Sequence, residues 1–359
     1  MNLADLTTLR VGGPSGRLVE ATTRDELISA TADLGPDDLV LGGGSNLVVA
    51  DAGILGTVLR VATRGIADPA PGVLRVEAGE SWDDVVQAAI ARGYAGIEAL
   101  SGIPGSAGAA PIQNIGAYGQ EVGASIRSVE VAEPGTGRIA RVSAAELGFG
   151  YRTSVFKQGV PAVVLALEFA FDVTPDSLSR PIAYGQLATA LGARIGERLP
   201  LPVVREAVLA LRRSKGMVLD PHDPDSVSAG SFFTNPIVTE GFARELPADA
   251  PRFPQEPDEP ERVLPLGSDI PPLAAGGPRH VKLSAAWLIE RAGVRRGFAI
   301  PGSGAAISAK HTLAIVNRGG ATAADILQLA DYVQTRVLSQ FGVRLQPEPT
   351  LVGFDDESV

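Results

Sequence analysis

The feature that most constrains this chain is a glycine-rich run, SGIPGSAGAAPIQNIGAYGQE, at residues 101–121. It holds five glycines and two prolines, and Glu121 is its only charged residue. Glycine adopts positive φ freely, and proline cannot donate a backbone hydrogen bond within a helix or a sheet. The run is therefore predicted to be a loop with free backbone N–H groups, which can wrap a phosphate-bearing ligand. An ordinary glycine-rich surface loop is the alternative that this run alone leaves open.

Composition limits the classes of protein to which the chain can belong. Its 359 residues suffice for two or three domains, and 45% hydrophobic residues is typical of a globular chain. The absence of cysteine excludes disulfides, thiolate metal ligands and a cysteine nucleophile. A net charge of −10 argues against a nucleic-acid surface. No signal peptide or membrane-length apolar run is visible, so we expect a cytoplasmic protein without membrane contact. We further expect a monomer.

The first 60 residues contain a second glycine-rich loop. Residues 17–60 have the pattern of an α/β unit, with a strand at 17–21, a helix capped by Thr23 at about 24–34, and a strand at 38–41. The second strand runs directly into GGGSN (42–46), whose bare backbone could cradle a pyrophosphate. No P-loop sequence of the GxxxxGKS or GxxxxGKT type is present, so nucleotide hydrolysis has no support.

Hydrophobic periodicity predicts the remaining elements. Helices are expected at 82–93, 186–195, 201–213, 283–292 and 323–341, the last capped by Thr322. Strands are expected at 73–78, 126–132, 163–171, 314–317 and within 343–353. Trp82 is assigned to the core, and PGSGAAIS (301–308) is assigned to a turn. Residues 243–280 hold nine prolines and are predicted to be a linker or an insertion.

Three further segments carry candidate chemistry. FGYRTSVFK (149–157) makes Arg152 a candidate anion clamp, although such a segment can equally be an exposed edge. Ser231 lies between a glycine and two phenylalanines, and it lacks the sequence context and partners of a hydrolase triad. Glu348 lies between two prolines, which hold it either at an edge or rigidly in a site. The aspartates around His222 are interpreted as a solvated loop, so no metal site is predicted.

In their order along the chain, these motifs resemble one known family, the UDP-N-acetylenolpyruvoylglucosamine reductases. The motifs are TLRVGG (8–13), LGGGSN (41–46), GIPGSAGAAPIQNIGAYGQE (102–121), FGYRTSVFK (149–157), SAGSFFTNP (228–236), HTLAIVN (311–317) and LQPEP (345–349). The resemblance covers residues 8–353 and breaks mainly at 243–280. Its combination of IPG, QNIGAYG, a YR segment ending in FK, and GSFF is specific. RPIAYG (180–185) resembles the branch that retains a tyrosine-bearing substrate loop.

The resemblance implies a mixed α+β and α/β fold. Two FAD-binding lobes of the vanillyl-alcohol-oxidase (PCMH) type would occupy residues 1–65 and 66–200. An α+β substrate-binding domain with the proline-rich insertion would occupy 201–340, and a tail, 341–359, would return to the flavin region. The implied cofactors are non-covalent FAD and NADPH as hydride donor. The implied reaction reduces the enolpyruvyl double bond of a UDP-sugar to give UDP-N-acetylmuramate for the bacterial cell wall.

The resemblance also implies roles for individual residues. Arg152 matches the catalytic arginine, Ser231 the proton donor and Glu348 the remaining catalytic acid, which together would stabilise and protonate an enolate. The expected substrate-binding residues are Tyr118, Tyr184, Lys215 and Asn235. The expected FAD-binding residues are Gly42, Gly43, Gly44, Ser45, Asn46, Gly105, Ser106, Gly108, Gln113, Asn114, Gly116, Ala117 and Tyr118.

The chain departs from the family pattern at two positions, and two other functions stay open. Thr234 stands where many members have lysine, and Thr153 stands where aspartate is common. One alternative is another flavoenzyme of the same fold, acting on a different sugar or alcohol; such enzymes often attach the flavin through His or Cys. The other is a non-catalytic flavin-binding or nucleotide-sugar-binding module, which would be expected to lack a member of the catalytic trio.

Overall fold

The computed structural model describes residues 1–174, 176–255 and 279–354, and the elements named below belong to those residues. The helices are α1 (Arg24–Ala32), α2 (Trp82–Ala91), α3 (Gly185–Leu191), α4 (Leu201–Arg213), α5 (Glu240–Glu245), α6 (Ala285–Arg291) and α7 (Ala323–Phe341). The strands are β1 (Ser15–Ala21), β2 (Leu39–Leu41), β3 (Leu47–Val49), β4 (Ile54–Val61), β5 (Ile66–Ala70), β6 (Val73–Glu77), β7 (Tyr94–Ala95), β8 (Gly116–Ala117), β9 (Gln120–Glu121), β10 (Ile126–Ala132), β11 (Ile139–Ser143), β12 (Val163–Ala170), β13 (Asp172–Val173), β14 (Ile237–Thr239), β15 (Arg252–Gln255), β16 (His280–Leu283), β17 (Ala305–Ile307), β18 (Ile315–Asn317) and β19 (Thr350–Val352).

The N-terminal strands form a small parallel sheet in the order β1-β4-β2. Helix α1 connects β1 to β2, and a capping box between Thr23 and Glu26 closes its N-terminus. The predicted strand, helix and strand of this unit are confirmed, with ends that differ by at most two residues. The central strand β4 was missing from the prediction. Strand β2 stops where the glycine loop 42–46 begins.

A five-stranded antiparallel sheet, β11-β10-β12-β6-β5, forms the second layer. Its middle strand β12 is apolar at most positions because it is covered on both faces. Helix α2 packs in the same core through Trp82, whose indole N–H donates to the Leu100 carbonyl over 3.1 Å. Trp82 is 1% exposed, which confirms its assignment to the core. The strands predicted at 73–78, 126–132 and 163–171 are confirmed.

Apolar packing crosses two of the predicted domain boundaries. Leu27 of α1 and Leu59 of β4 share one core with Val129 and Leu167 of the second sheet, so the predicted boundary at residue 65 lies within a shared core. Helices α3 and α4 pack against each other across the predicted boundary at residue 200, in a small cluster that also includes Ala99. The proposed domain ranges themselves remain a prediction.

The C-terminal part is built around α7, which begins and ends at the predicted residues. A capping box between Thr322 and Asp325 closes its N-terminus, and its apolar face packs on β17, β18 and α6. The antiparallel sheet β14-β16-β15 completes this part. The predicted turn at 301–308 is confined to its beginning, since the last residues of PGSGAAIS form β17. Leu9 and Val48 of the N-terminal region are also buried in this core.

The predicted linker or insertion at 243–280 needs correction at both ends. Helix α5 extends to Glu245, and β15 pairs with β16, which begins at His280. Strand β15 lies at the edge of its sheet, the position where a strand tolerates a proline such as Pro254. Residues 256–278 of the predicted insertion lie outside the described residues.

The tail returns to the glycine loop of the N-terminal sheet. Strand β19 pairs in parallel with β3, and the Thr350 N–H donates to the Asn46 carbonyl over 3.0 Å. This pairing confirms the strand predicted within 343–353 and holds Glu348 beside the loop 42–46. Residues 355–359 of the predicted tail lie outside the described residues. Within the described ranges, no helix is long and apolar enough to cross a membrane.

Candidate active site

The two glycine-rich loops lie against each other with almost no space between their backbones. A Cβ added to Gly43 would lie 2.6 Å from the Gly105 Cα, and one added to Gly105 would lie 2.6 Å from the Ser45 hydroxyl oxygen. The Ser45 hydroxyl donates to the Pro104 carbonyl over 3.0 Å and fastens the loops together. Glycine is therefore required at position 43 for a steric reason and at position 105 because of its φ of 121°, and the loops form a continuous backbone-lined wall.

A cavity of about 620 Å³ lies along this wall. Its lining combines apolar side chains, such as Val61, Trp82 and Val164, with polar ones, such as Gln113, Lys157 and Glu348. Its size and mixed lining are those of a site for a cofactor or another small molecule. The predicted FAD-binding residues that line it are Gly42, Gly43, Gly44, Ser45, Asn46, Gly105, Ser106, Gly108 and Gln113.

Four predicted FAD-binding residues do not line this cavity: Asn114, Gly116, Ala117 and Tyr118. The buried Asn114 amide donates to Glu121 and to the Gly150 carbonyl, and its oxygen accepts the Gly123 N–H over 2.9 Å. Its side chain is thus engaged within the protein, where it joins the glycine-rich run to the segment that carries Arg152. Sequence reasoning could not distinguish this supporting amide from one that contacts a ligand.

Arg152 contacts Glu348, which lines the cavity, although Arg152 itself is not part of the lining. The Arg152 Nε lies 3.1 Å from Glu348 Oε1, and an Nη2 hydrogen donates to the Gly116 carbonyl over 2.7 Å. The Nε–H is not aligned with the carboxylate and has no hydrogen-bond partner among the described residues, although the atom is buried. Arg152 also has a φ of 56°, in the left-handed region that non-glycine residues seldom occupy. A buried donor without an acceptor on a strained backbone is typical of a functional site.

Glu348 is held from several sides. Its backbone N–H donates to the Phe232 carbonyl over 2.9 Å, and its carbonyl accepts from Asn46 and from Lys157, each over 3.2 Å. Burial raises the pKa of the Glu348 carboxyl, and the positive charges of Arg152 and Lys157 oppose that rise. The carboxyl is therefore closer to protonation than an exposed glutamate. Glu348, between its two prolines, lines the cavity, and its role as a catalytic acid stays a prediction.

Main-chain pairing brings the Ser231 segment beside Glu348. Phe233 forms a β-bridge with Pro347, and the Thr234 N–H donates to the Gln346 carbonyl over 3.0 Å. Ser231 follows Gly230, whose φ of 79° turns the chain before the pairing begins. Within the described residues the Ser231 hydroxyl has no protein hydrogen-bond partner, and the residue is partly exposed. The three residues predicted to be catalytic thus come from adjoining segments of the fold.

The predicted substrate-binding residues fall into two groups. Tyr118 and Tyr184 meet edge to face with ring centroids 5.8 Å apart, and the Lys215 amine lies 5.5 Å from the Tyr118 ring centre. The Asn235 side chain is placed differently, since its oxygen accepts the Ala285 N–H over 2.9 Å and the residue lies close enough to Tyr151 to influence the pKa of its phenol. Asn235 therefore adjoins the Arg152 segment.

Two residues near Lys215 were missed by sequence reasoning. Arg212 is buried, burial lowers its pKa to about 10, and its Nε has no partner among the described residues. Burial, with the charges of Lys215, Arg212 and Arg296, lowers the pKa of His311 to about 4. Clustered cations around a neutral imidazole provide a site for an anion.

Lysines in the catalytic segments were also missed. Lys157 lines the cavity, and the Lys282 amine lies 4.6 Å from the centre of the Tyr151 ring. Lys157 belongs to the motif 149–157, which the sequence analysis treated as a whole, whereas Lys282 lies outside all the motifs. No group of three or more His, Asp or Glu side chains in the described part of the chain is arranged to hold a metal ion.

Comparison with known proteins identifies two family models in the chain. Residues 16–143 match an FAD binding domain, and residues 222–352 match the C-terminal domain of UDP-N-acetylenolpyruvoylglucosamine reductase. The first match contains both glycine loops. The second contains Ser231 and Glu348.

Curated relatives extend the similarity to almost the whole chain. The UDP-N-acetylenolpyruvoylglucosamine reductase of Leifsonia xyli subsp. xyli is 57% identical, covering 98% of each chain. The protein of the same name from Nocardia farcinica is 51% identical over 98% of this chain and 89% of its own length. The one from Mycobacterium tuberculosis H37Rv is 48% identical over 98% and 94%.

A solved structure supports the same relationship. The MurB reductase of Thermus caldophilus superposes with a TM-score of 0.65 at 27% identity, covering 98% of this chain and 97% of its own. Its overlap confirms the predicted mixed fold with an FAD-binding region. Sequence identity above one half over nearly the full length is much higher than proteins that share only a fold usually have. The chain therefore belongs to the UDP-N-acetylenolpyruvoylglucosamine reductase (MurB) family.

Proposed function

We propose that this protein reduces the enolpyruvyl double bond of UDP-N-acetyl-enolpyruvoylglucosamine to give UDP-N-acetylmuramate for peptidoglycan synthesis. NADPH is the hydride source and FAD the carrier. The observation that carries the proposal is the Arg152–Glu348 ion pair, which adjoins both the glycine-lined cavity and the Ser231 segment. The names of the close relatives support the same reaction.

FAD fits the cavity on three grounds. The two glycine loops present bare backbone to a pyrophosphate, the apolar side chains of the lining suit flat rings, and Lys157 supplies a cation. When bound, FAD accepts a hydride from NADPH and delivers it to the substrate. Non-covalent binding is favoured because the chain has no cysteine and no histidine lines the described cavity wall.

Arg152 and Glu348 stabilise the charge that the reaction creates. Hydride addition to the terminal carbon of the enol ether moves negative charge toward the substrate carboxylate as an enolate. Arg152 supplies a permanent positive charge and a buried Nε–H that is free to donate to that oxygen. Burial raises the pKa of Glu348 against the opposing charges of Arg152 and Lys157, so its carboxyl takes up a proton more readily than an exposed glutamate and, once protonated, adds a second donor beside Arg152.

Ser231 supplies the remaining proton. Its hydroxyl, which has no acceptor among the described residues, is free to donate to the α-carbon as the enolate collapses. A neutral hydroxyl is adequate for this step because the carbon it protonates is strongly basic. Thr234 leaves this arrangement intact. It contacts Gln346 mainly through its main-chain N–H, which donates to the Gln346 carbonyl over 3.0 Å, whereas its hydroxyl lies 3.4 Å from the same oxygen.

The cationic group around Lys215 is suited to the diphosphate of the UDP-sugar. Lys215 and Arg212 provide positive charge, and the edge-to-face pair of Tyr118 and Tyr184 offers two phenol hydroxyls at the same place. Asn235, next to Tyr151, is suited to the sugar end of the substrate, nearer the reacting carbon. Burial raises the pKa of Tyr151, so its phenol stays a hydrogen-bond donor at neutral pH.

A two-step anaerobic titration tests the function. NADPH should bleach the bound flavin, and the enolpyruvyl UDP-sugar should then restore the oxidised absorbance. Failure of the sugar to reoxidise a flavin that NADPH has reduced would rule out the proposed substrate. Release of the flavin by denaturation should confirm non-covalent binding.

Replacement of Ser231 tests the proton donor. In Ser231→Ala, reduction by NADPH should stay near the wild-type rate, and reoxidation by the sugar should slow by orders of magnitude. Ser339→Ala, at an exposed position of α7, is the matched control and should change neither step. Equal slowing of both half-reactions in Ser231→Ala would exclude the assigned role.

We also propose that the protein acts as a cytoplasmic monomer. The acidic composition and the absence of a membrane-spanning helix in the described ranges support this location. Light scattering of the purified holoprotein should give the mass of one 37.1 kDa chain.

A further inference from the structure

Lysine is rare in this protein and is concentrated at one place. Of the 31 lysine and arginine residues only four are lysines: Lys157, Lys215, Lys282 and Lys310. The first three lie at the candidate active site, and Lys310 pairs with Asp223 over 2.8 Å elsewhere. An ammonium is a compact point charge, whereas a guanidinium is a broad planar fork. Three of the four lysines of an otherwise arginine-rich chain thus lie near the candidate active site, beside Arg152 and Arg212.

Lys157 occupies a fixed position in the wall of the cavity. Three residues before it, the buried Ser154 donates its hydroxyl to the Ile112 carbonyl over 2.6 Å, which fastens this turn to the glycine-rich run. The Lys157 amine donates to the Glu348 carbonyl over 3.2 Å. Lys157 is exposed, and these two contacts direct its amine along the cavity wall toward Glu348, on the side of the Arg152–Glu348 pair.

The positive charge of Lys157 is not neutralised by a direct partner. No ion pair joins its amine to a carboxylate among the described residues, and its one protein acceptor is a neutral carbonyl. The nearest acid, Glu348, is already paired with Arg152. The amides next to it are also engaged, since Asn46 donates to Gln113 over 2.7 Å. The cavity end therefore presents an uncompensated cation to whatever fills it.

We propose that Lys157 stabilises the negative charge that the flavin acquires on reduction and thereby sets the reduction potential of the bound cofactor. The inference rests on the proposed function, because it takes FAD as the occupant of the cavity. A hydride carries two electrons and one proton, so its addition to the neutral ring adds one negative charge unless a second proton follows. A nearby ammonium binds the reduced ring more tightly than the oxidised ring, and this difference raises the potential.

Potentials and affinities measured separately test the inference. In Lys157→Met, oxidised FAD should bind within about threefold of the wild-type affinity. The affinity for reduced FAD should fall at least tenfold more than the affinity for oxidised FAD, which lowers the two-electron potential by ~30 mV or more. Lys157→Arg should restore at least half of the shift, because it restores the charge. Lys310→Met is the matched control and should leave the potential unchanged.

The pH dependence of the potential gives a second readout that a purely structural role would not change. Wild type should show a slope of ~30 mV per pH unit, for one proton per two electrons. In Lys157→Met the slope should rise toward twice that value at acidic pH, because the reduced ring then takes up a second proton.

Other outcomes would overturn the proposal. Equal loss of affinity for FAD and ADP with an unchanged potential would make Lys157 a pyrophosphate contact instead. An unchanged potential with unchanged affinities would leave it no electrostatic role. A wild-type protein that binds FAD but does not pass electrons to the UDP-sugar would contradict the proposed function and leave the Lys157 measurement valid.

Discussion

Single residues at the site combine strain with unsatisfied polarity. Arg152 keeps a left-handed backbone while its buried Nε–H lacks an aligned acceptor. Such a residue costs of order 1–3 kcal/mol of stability, and the surrounding contacts to Gly116 and Glu348 must maintain it. Arg152 is thus a strained residue, and contacts with its neighbours hold it in place.

His311 gives a pH-dependent prediction at the same scale. The pKa of His311 is about 4 in the folded protein, below its ordinary value of 6.5. Between these two pH values the unfolded chain therefore binds a proton that the folded chain does not. Stability that is present above about pH 6.5 should therefore fall as the pH drops to about 4, by at most ~3 kcal/mol. His311→Gln should lose this dependence, as followed by urea unfolding at a series of pH values.

His222→Gln, at an exposed loop position, is the control for that experiment. A wild type and a His311→Gln variant whose free energies of unfolding change in parallel from pH 7.5 to 4.5 would contradict the assigned environment. Binding of a diphosphate to the same cationic group should be examined only after this comparison, because the ligand adds its own pH dependence.

At the scale of elements, the close contact of the two glycine loops is the decisive feature. Gly43→Ala would place a methyl group 2.6 Å from the Gly105 Cα, and neither backbone can yield like a flexible side chain. The loops should separate, and the purified protein should contain little FAD and bind added FAD at least tenfold more weakly. Flavin absorbance and a fluorescence titration measure both quantities.

Gly241→Ala provides a matched control for Gly43→Ala. Gly241 lies in α5, and a Cβ added there meets nothing within 4 Å. Alanine is a better helix residue than glycine, so this variant should keep its FAD and gain slightly in stability. Normal flavin content in Gly43→Ala would show that the loops do not form the cofactor wall.

At the scale of the whole molecule, the first and last segments of the chain hold the C-terminal part in place. Leu9 and Val48 are fully buried in the core around α7, and β19 pairs with β3. Leu9→Ala should destabilise the protein by about 2–5 kcal/mol. The destabilisation should increase hydrogen exchange in α7, which lies more than 300 residues away, more than in α2.

The contrast between these two helices makes the exchange experiment specific. Leu338→Ala, at an exposed position on α7, should leave exchange nearly unchanged. Faster exchange in α2 with an unaffected α7 would contradict the shared core. Such a result would favour independent domains at the predicted boundaries.

Local sequence signals determined those features that depend on a few neighbouring residues. The capping pattern at Thr322 and the apolar spacing after it gave both ends of α7, and the same logic located α1 and α2. The motif order gave the family, which the comparisons confirm. These predictions succeed because caps, helical periodicity and glycine conformations are set by interactions within a few residues.

Tertiary structure alone decided which of the candidate residues share a site. The sequence around Asn114 does not indicate that its amide forms hydrogen bonds with Glu121, Gly150 and Gly123. Likewise, the position of Lys157 in the cavity wall depends on Glu348, which packs beside it from the C-terminal end of the chain. The central strand β4 and the edge strand β15 likewise depend on partners distant in sequence. Long-range pairing and burial determine such contacts, and no short stretch of sequence encodes them.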